Sequence, residues 1–184
     1  ALVDRSGKPQ IGVVFDPVRK TLYHAIARNG AYRNNAPFTP LSQPPASRFS
    51  LIHDRSFGKQ KLYPRIIESL NVISKNLGYT DFQFYEFGGS VMNGFRVLEE
   101  NPAVYFKLPQ KKAGGGCIWD FAATTCIYNE IGAHATDIHG DPLQLNPRNT
   151  CYLSHVGVIF SGEKTVLKSV CQLYTDLKNE GLTT

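Results

Sequence analysis

The sequence lacks a long hydrophobic run. No window approaches the roughly 20 consecutive apolar residues that a membrane-spanning helix requires, and the N-terminus lacks the basic region and apolar core of a secretory signal. We therefore predict a protein with no membrane segment, located in the cytoplasm.

Motifs for several common kinds of site are missing as well. The five histidines never occur in a metal-ligand spacing such as HxxxH, which argues against a zinc site. Residues 114–116 are glycines, but the Gly-Lys-Ser or Gly-Lys-Thr ending of a P-loop does not follow them. The cysteines form no CxxC pair and no dense framework, so we interpret them as reduced, mostly buried thiols. They are Cys117, Cys126, Cys151 and Cys171.

The composition is that of a folded protein. The 184 residues are 42% hydrophobic and 19% charged, which suffices for one globular domain, or for one domain and part of another. The net charge of +5 suits small anionic molecules as well as nucleic acid. Because the Lys and Arg residues are dispersed, we do not expect a nucleic-acid polymer as a partner.

The first part of the chain reads as a meander of strands. Residues 11–15 and 21–27 flank an Asp-Pro turn and predict an antiparallel hairpin, and a third strand follows at residues 31–33. Four prolines in residues 36–48 favour an irregular crossover. We place the main boundary there, with residues 1–46 forming the end of an antiparallel-sheet domain and residues 47–184 forming an α/β domain.

In the second part, strands and helices alternate. The predicted strands cover residues 49–53, 82–85, 103–108, 135–138 and 156–160, and apolar residues recur at helical spacing between them. Helices are expected over residues 62–73, from residue 90 to 98, from 121 to about 131, and from 163 to 177. This order predicts a layered, alternating α/β sandwich.

Asp120 is the strongest candidate for chemistry. It follows a glycine loop at residues 110–116 and a bulky pair, Ile118 and Trp119, which we expect to anchor the helix start. An aspartate at this place can simply cap the helix. It can also present a carboxylate at the mouth of a cleft, and such oxygen ligands suit Mg²⁺ together with a substrate phosphate.

Four stretches in this order resemble the inositol monophosphatase superfamily. The sequence WDFAA at residues 119–123 is similar to the second signature of that superfamily, and residues 11–17 with 30–32 are similar to its strand pair and turn. Gly88 and Gly89 with Ser90 resemble its glycine and hydroxyl residue at a helix start. Residues 137–143 resemble its hairpin of the form D-x-x-G-x-P-L. Together these stretches span nearly the whole chain.

The resemblance implies a fold and a reaction. The expected fold is the layered α/β sandwich of that superfamily, and the expected reaction is Mg²⁺-dependent hydrolysis of a phosphate monoester. By the same resemblance, Asp120 is a catalytic metal ligand, and Gly89, Ser90 and Val91 bind the substrate at a helix N-terminus that favours anions. An ordinary strand-to-helix turn is the alternative interpretation of the two glycines.

One part of the pattern is absent. The first signature of the superfamily, which supplies most metal ligands, lies upstream of a strand resembling residues 1–4, and Asp16-Pro17 does not replace it. We therefore expect the N-terminal part of the fold to be missing and this chain to be inactive by itself. The hairpin strands would then lack partners, and their open apolar edge would favour aggregation. A non-catalytic binding protein that keeps the fold is the rival interpretation.

Substrate class is indicated by basic residues. Arg55 occupies the place of a polar stretch in the nucleotidase branch and could hold a phosphate. Lys107, Lys111 and Lys112 surround the glycine loop and could form a positive rim, although solvated surface side chains are the alternative for all four. These residues favour a 3'(2'),5'-bisphosphate nucleotide as the small phosphorylated substrate, with inositol monophosphate as the alternative. A homodimer stays open as the assembly.

Overall fold

The computed structural model describes residues 1–42 and 47–183 of the chain. Its strands are β1 (Leu2–Val3), β2 (Pro9–Asp16), β3 (Thr21–Ile26), β4 (Ala31–Arg33), β5 (Ala36–Pro37), β6 (Arg48–Asp54), β7 (Asp81–Phe87), β8 (Ala103–Lys107), β9 (His134–Thr136) and β10 (Val158–Ser161). Its α-helices are α1 (Arg55–Gly58), α2 (Tyr63–Asn76), α3 (Ser90–Glu99), α4 (Ile118–Glu130) and α5 (Lys164–Asn179), and a 3₁₀ turn covers Pro40–Ser42.

The first sheet is an antiparallel meander of β1 to β5 in chain order. The predicted hairpin is confirmed, because β2 and β3 pair from Ile11 opposite Ile26 to Asp16 opposite Thr21. Side chains alternate along both strands, so that Val14 and Tyr23 are buried while Val13 and Phe15 on the other face are more than half exposed. The outer face of this sheet is therefore apolar and uncovered in the described part of the chain.

The second sheet is mixed, with the strand order β7-β6-β8-β10-β9. Strand β6 pairs in parallel with both β7 and β8, whereas β10 runs antiparallel to β8 and β9. The central strand β8 is fully buried from Ala103 to Phe106 because helices cover both of its faces. The carboxyl ends of β6, β7 and β8 consequently meet at one edge.

Three hydrophobic cores separate four layers. One core joins the first sheet to α3 and α4 through Tyr23, Phe95 and Ile127. A second core lies between α3, α4 and the second sheet, and a third packs α2 and α5 against the opposite face of that sheet. The predicted layered α/β sandwich is thus confirmed.

Helix α4 lies between the two sheets and is buried on all sides in its middle, where every residue from Phe121 to Tyr128 is buried except Ala123, which is half-buried. Its contact with the first sheet requires a glycine at position 12. A Cβ atom on Gly12 would lie 2.4 Å from the carbonyl oxygen of Ala123 and 2.8 Å from Cβ of Cys126. The small residue thus lets strand and helix approach closely.

Several sequence-based expectations need correction. Helix α4 begins at Ile118 instead of Phe121, so Asp120 lies in its first turn. Trp119 does not anchor this helix, since it is 65% exposed. The proline-rich segment is less irregular than expected, because β5 pairs with β4 and the 3₁₀ turn follows. Strand β3 has no open edge, because it lies between β2 and β4. The exposed apolar residues lie on the outer face of the sheet instead.

Two other expectations concern limits of the chain. The predicted domain boundary follows residue 46, and residues 43–46 lie outside the described residues. The same holds for the final residue, 184. The division into residues 1–46 and 47–184 stays a prediction. None of the helices described is long and apolar enough to cross a membrane.

Candidate active site

Polar side chains collect where the parallel strands of the second sheet end. Strand β6 ends at Asp54 and β8 ends at Lys107, while β7 runs through Gly88 and Gly89 into α3. Loops at the carboxyl edge of parallel strands are the common place for ligand sites in α/β folds. This edge is where the structure places most of the candidate residues.

Asp54 and Lys107 form an ion pair at this edge. The Nζ atom of Lys107 lies 2.9 Å from Oδ2 of Asp54, and the other carboxylate oxygen accepts hydrogen bonds from the Ser56 hydroxyl and the Phe57 amide. Partial burial raises the pKa of Asp54, but the hydrogen bond from Ser56 and the charge and hydrogen bond of Lys107 outweigh it and hold the pKa below its ordinary value. Lys107 is therefore not a free cation at the rim; it is held by Asp54.

Ser90 is held by a hydrogen bond from a buried tyrosine. The Tyr105 hydroxyl, on the central strand β8, donates a hydrogen bond of 2.9 Å to Oγ of Ser90, the first residue of α3. Burial raises the pKa of Tyr105 well above its usual range despite this hydrogen bond, and the charges of Asp54 and Asp120 act in the same direction. Tyr105 thus contacts the serine, and the charges of both carboxylates act on its hydroxyl.

The start of α3 is open to solvent. Gly88 and Gly89 are exposed, and a Cβ atom on either would meet nothing within 4 Å. The Asn93 side chain donates to the carbonyl of Gly88 and fixes this turn. The side chain of Val91 packs against the core beneath the first sheet. Only the backbone amide of Val91 is therefore available to a ligand at the helix start. Free amides at a helix N-terminus attract anions.

Asp120 points back to the start of its own helix. Its Oδ2 atom accepts a hydrogen bond of 2.7 Å from the amide of Cys117, the residue that caps α4, as the acidic partner of a capping box does. No other hydrogen bond to this carboxylate occurs among the described residues. One carboxylate oxygen is therefore capped and the other is free for a ligand.

The loop before Asp120 has a backbone that favours glycine. Gly114, Gly115 and Gly116 have φ angles of 144°, 72° and 135°, a region that residues with a Cβ rarely adopt. A Cβ on Gly116 would lie 2.6 Å from the Phe121 ring and 3.7 Å from Oδ2 of Asp120. The loop therefore passes directly over the candidate carboxylate.

The residues present supply one metal ligand and not a complete site. Mg²⁺ is usually held by one or two carboxylates, waters and substrate phosphates, and Asp120 suits the role of one such ligand. Within residues 1–42 and 47–183, however, no group of three or more His, Cys, Asp or Glu side chains could hold a metal ion. Asp54, the other carboxylate near Tyr105, is already engaged by Lys107.

Arg55 and Lys112 lie apart from this cluster. Arg55 pairs with Glu86 at 3.4 Å and lines a groove beside α2 with His53 and Tyr63. Lys111 and Lys112 line a different groove, next to Gln60 and Leu182. The structure places Gly89, Ser90 and Val91 at the start of α3, Lys107 at the end of β8 and Asp120 in the first turn of α4. Among the described residues it gives no contact of Arg55 or Lys112 with them.

The sequence comparisons decide the family. Residues 1–176 match the inositol monophosphatase family. The chain belongs to that family. Inositol monophosphatase 2 of Saccharomyces cerevisiae is 30% identical over 132 residues, which cover 68% of this chain and 43% of the yeast protein. Inositol-1-monophosphatase of Bacillus subtilis is 23% identical over 170 residues, covering 92% of this chain and 57% of the bacterial protein.

Solved structures of the family share the fold. Staphylococcal SaIMPase-II with inositol monophosphate bound matches with a TM-score of 0.68 at 20% identity, over 96% of this chain and 61% of that one. The same protein with 2'-AMP bound gives a TM-score of 0.65 at 21% identity, over 96% and 60%. This inositol monophosphatase family chain spans about half the length of the curated relatives it matches.

Tyr105 and Asp54 are not among the site residues predicted from the sequence. The sequence pattern places Tyr105 only in an apolar strand, although a tyrosine in the middle of a buried strand needs a partner for its hydroxyl. Asp54 had a recognisable signal, since an aspartate directly after an apolar strand commonly caps a following turn. Its ion pair with Lys107 depends on two strands 53 positions apart and had no signal in the sequence.

Proposed function

We propose that this chain is part of a Mg²⁺-dependent phosphomonoesterase that acts on a small phosphorylated substrate. The observation that carries the proposal is that Tyr105 holds Ser90 at the open α3 start, while the Asp120 carboxylate, which has one free oxygen, acts electrostatically on the same tyrosine. Amides at the helix start would bind a phosphate, and Asp120 would hold a divalent cation beside it.

The roles of the chain's own residues follow from their contacts. Ser90 presents its hydroxyl at the helix start, and Tyr105 keeps that hydroxyl in place. Asp120 is oriented by the amide of Cys117. When bound, Mg²⁺ would stabilise negative charge on the phosphate and would activate a water molecule as the nucleophile. Because the described residues do not complete a metal site, we expect the 184 residues alone to be inactive.

For the substrate we propose a 3'(2'),5'-bisphosphate nucleotide. Arg55 and Lys112, which line two separate grooves, are the candidate contacts for the second phosphate, whereas Lys107 is paired with Asp54. The 2'-AMP bound to SaIMPase-II indicates that a relative of this fold accepts a nucleotide phosphate. Inositol monophosphate is the second candidate, favoured by the names of both curated relatives.

The test uses the natural protein, with its intact mass determined first. Phosphate release from a 3',5'-bisphosphonucleotide and from inositol 1-phosphate is measured with and without Mg²⁺. Asp120→Asn should lower the Mg²⁺-dependent rate on the order of 100-fold or more, as expected when a group that orients the reaction is lost. Asp176→Asn, a surface carboxylate on α5, is the matched control and should leave the rate unchanged.

The outcomes separate the alternatives. The nucleotidase assignment is supported if the bisphosphonucleotide reacts faster than inositol 1-phosphate and if Lys112→Gln or Arg55→Gln lowers that rate. A faster reaction with inositol phosphate supports the second candidate. If the natural protein begins at Ala1 and neither compound releases phosphate with Mg²⁺, the fold serves binding alone, and the catalytic role of Asp120 is wrong.

A further inference from the structure

Two thiols lie in contact at the start of α4. The Sγ atoms of Cys117 and Cys151 are 3.8 Å apart, although 34 positions separate these residues in the chain. Cys117 is buried at the helix cap, and Cys151 is half-buried in the segment that precedes β10. The pair therefore joins the helix that carries Asp120 to a distant, partly accessible loop.

Backbone contacts hold the two thiols side by side. The amide of Ile118 donates a hydrogen bond of 2.8 Å to the carbonyl of Cys151, and Cys117 forms an antiparallel bridge with Tyr152. The amide of Leu153 donates to the carbonyl of Gly116 at 3.2 Å. Because the chain is fixed on both sides, the sulfur atoms stay close in the folded protein.

The other two cysteines have different surroundings. Cys126 is buried in the core and contacts the carbonyl of Ala25, and burial raises its pKa to about 11. Cys171 is half-buried on α5, near Gly140. Neither has a second sulfur beside it in the described part of the chain, so the closeness of Cys117 and Cys151 is particular to the start of α4.

We propose that Cys117 and Cys151 form a reversible disulfide, with a low-molecular-weight disulfide as the oxidant. The Cys151 thiolate attacks one sulfur of the oxidant, forms a mixed disulfide and releases one thiol. Cys117 then loses its proton and attacks Sγ of Cys151, which forms the internal bond and releases the second thiol. In total two cysteine thiols are oxidised and one small disulfide is reduced to two thiols.

The bond would disturb the carboxylate next to it. A disulfide requires the sulfurs to approach from 3.8 Å to about 2.05 Å, so Cys117, Cys151 or both must shift. The amide of Cys117 is the donor that orients Asp120. Oxidation should therefore loosen this hydrogen bond. Its effect on hydrolysis rests on the proposed function, whereas the formation of the bond does not.

The test equilibrates the natural protein in glutathione buffers of increasing oxidised fraction. The remaining thiols are then alkylated. The protein is digested with a protease, and the peptides are analysed by mass spectrometry. We expect two thiols to disappear together, in a linked peptide pair containing Cys117 and Cys151 that dithiothreitol releases. Cys151→Ser should abolish the pair, and Cys171→Ser should not. Glutathione attached to Cys151 without the internal bond, or alkylation of both thiols under oxidising conditions, would overturn the proposal.

Amide hydrogen exchange tests the link to Asp120 without measuring activity. In the oxidised protein, exchange at residues 117–120 should be faster than in the reduced protein, and the phosphate-release rate should fall on the order of tenfold or more. A linked peptide with unchanged exchange and unchanged rate would overturn the coupling to Asp120. A reduced protein without any phosphatase activity would contradict the proposed function, while the peptide and exchange results would still decide the disulfide.

Discussion

Lys107 lies 2.9 Å from Asp54, so an ion pair joins the carboxyl ends of two neighbouring parallel strands. Both side chains are shielded, with exposed fractions of 19% and 16%. Shielding makes such a pair stronger than a surface ion pair, and it also makes loss of one partner costly. Each charge therefore depends on the other, and together they bring no net charge to the site edge.

Asp54 should make stability depend on acidity. Because its pKa is lowered in the folded state, its contribution is present above the unfolded pKa of about 3.9 and is lost as pH falls through the folded pKa. The free energy of unfolding should thus fall below about pH 5, as the unfolded chain takes up protons. Asp54→Asn should lower stability at pH 7 by about 1–3 kcal/mol and flatten this decline.

Urea unfolding of the natural protein between pH 3 and pH 7 measures this effect. Asp141→Asn, an exposed carboxylate near β9, is the control and should retain the decline of the unmodified protein. An equally steep decline in Asp54→Asn would contradict the assignment.

Gly12→Ala should destabilise the protein. The added Cβ would lie 2.4 Å from the Ala123 carbonyl oxygen, so β2 and α4 would have to separate, at a cost of about 1–3 kcal/mol. Gly88→Ala is the control, because its Cβ would project into open space, and its effect should be within about 0.5 kcal/mol. Thermal unfolding compares the two variants. Equal stabilities would mean that the two layers are not in the close contact described.

Glu130 ties the turn after β3 to the end of α4. Its two carboxylate oxygens accept hydrogen bonds of 2.8 Å from the amides of Arg28 and Gly30. Glu130→Ala should cost about 1–3 kcal/mol, because both donors lose a charged partner. Glu130→Gln retains one acceptor, so its free energy of unfolding, measured with denaturant, should lie between those of Glu130→Ala and the unmodified protein. A Glu130→Ala protein as stable as the unmodified one would show that water replaces the carboxylate without penalty.

The outer face of the first sheet should make the 184-residue chain self-associate. Val13 and Phe15 are 52% and 57% exposed, and Ile11 and Ile26 form an adjacent cross-strand pair on the same face. A contiguous apolar patch of this kind promotes association. The double variant Val13→Thr and Phe15→Thr should shift sedimentation toward monomer. Val72→Thr, at a similarly exposed valine on α2, should not. A chain that is monomeric at every concentration would contradict this expectation.

Much of the fold could be predicted from local patterns. The alternation of residues 11–15 and 21–27 specified a hairpin because successive side chains of a strand point to opposite faces. Helical spacing of apolar residues located α2, α3 and α5 in the same way. The start of α4 was misplaced because Ile118 and Trp119 looked like an anchor before the helix, whereas the helix already includes them and leaves Trp119 exposed.

The candidate site was predicted less completely. Asp120 and the α3 start at Ser90 were recognisable because each belongs to a short contiguous motif. Tyr105 was not, since its role depends on the distance between its hydroxyl and Ser90, 15 positions away. Arg55 was assigned to the site by its place in a motif-like polar stretch and Lys112 by its charge beside the glycine loop, and the structure places them in two separate grooves.

The sequence by itself determined the layered α/β class, the family resemblance and the motifs around Asp120 and Ser90, because side-chain periodicity and short motifs are local properties of the chain. Only the tertiary structure decided that Asp54 holds Lys107, that Tyr105 supports Ser90, and that Cys117 touches Cys151. Each of these contacts joins residues from different strands, helices or loops. Their distances are fixed by sheet order and helix packing, which no local pattern encodes.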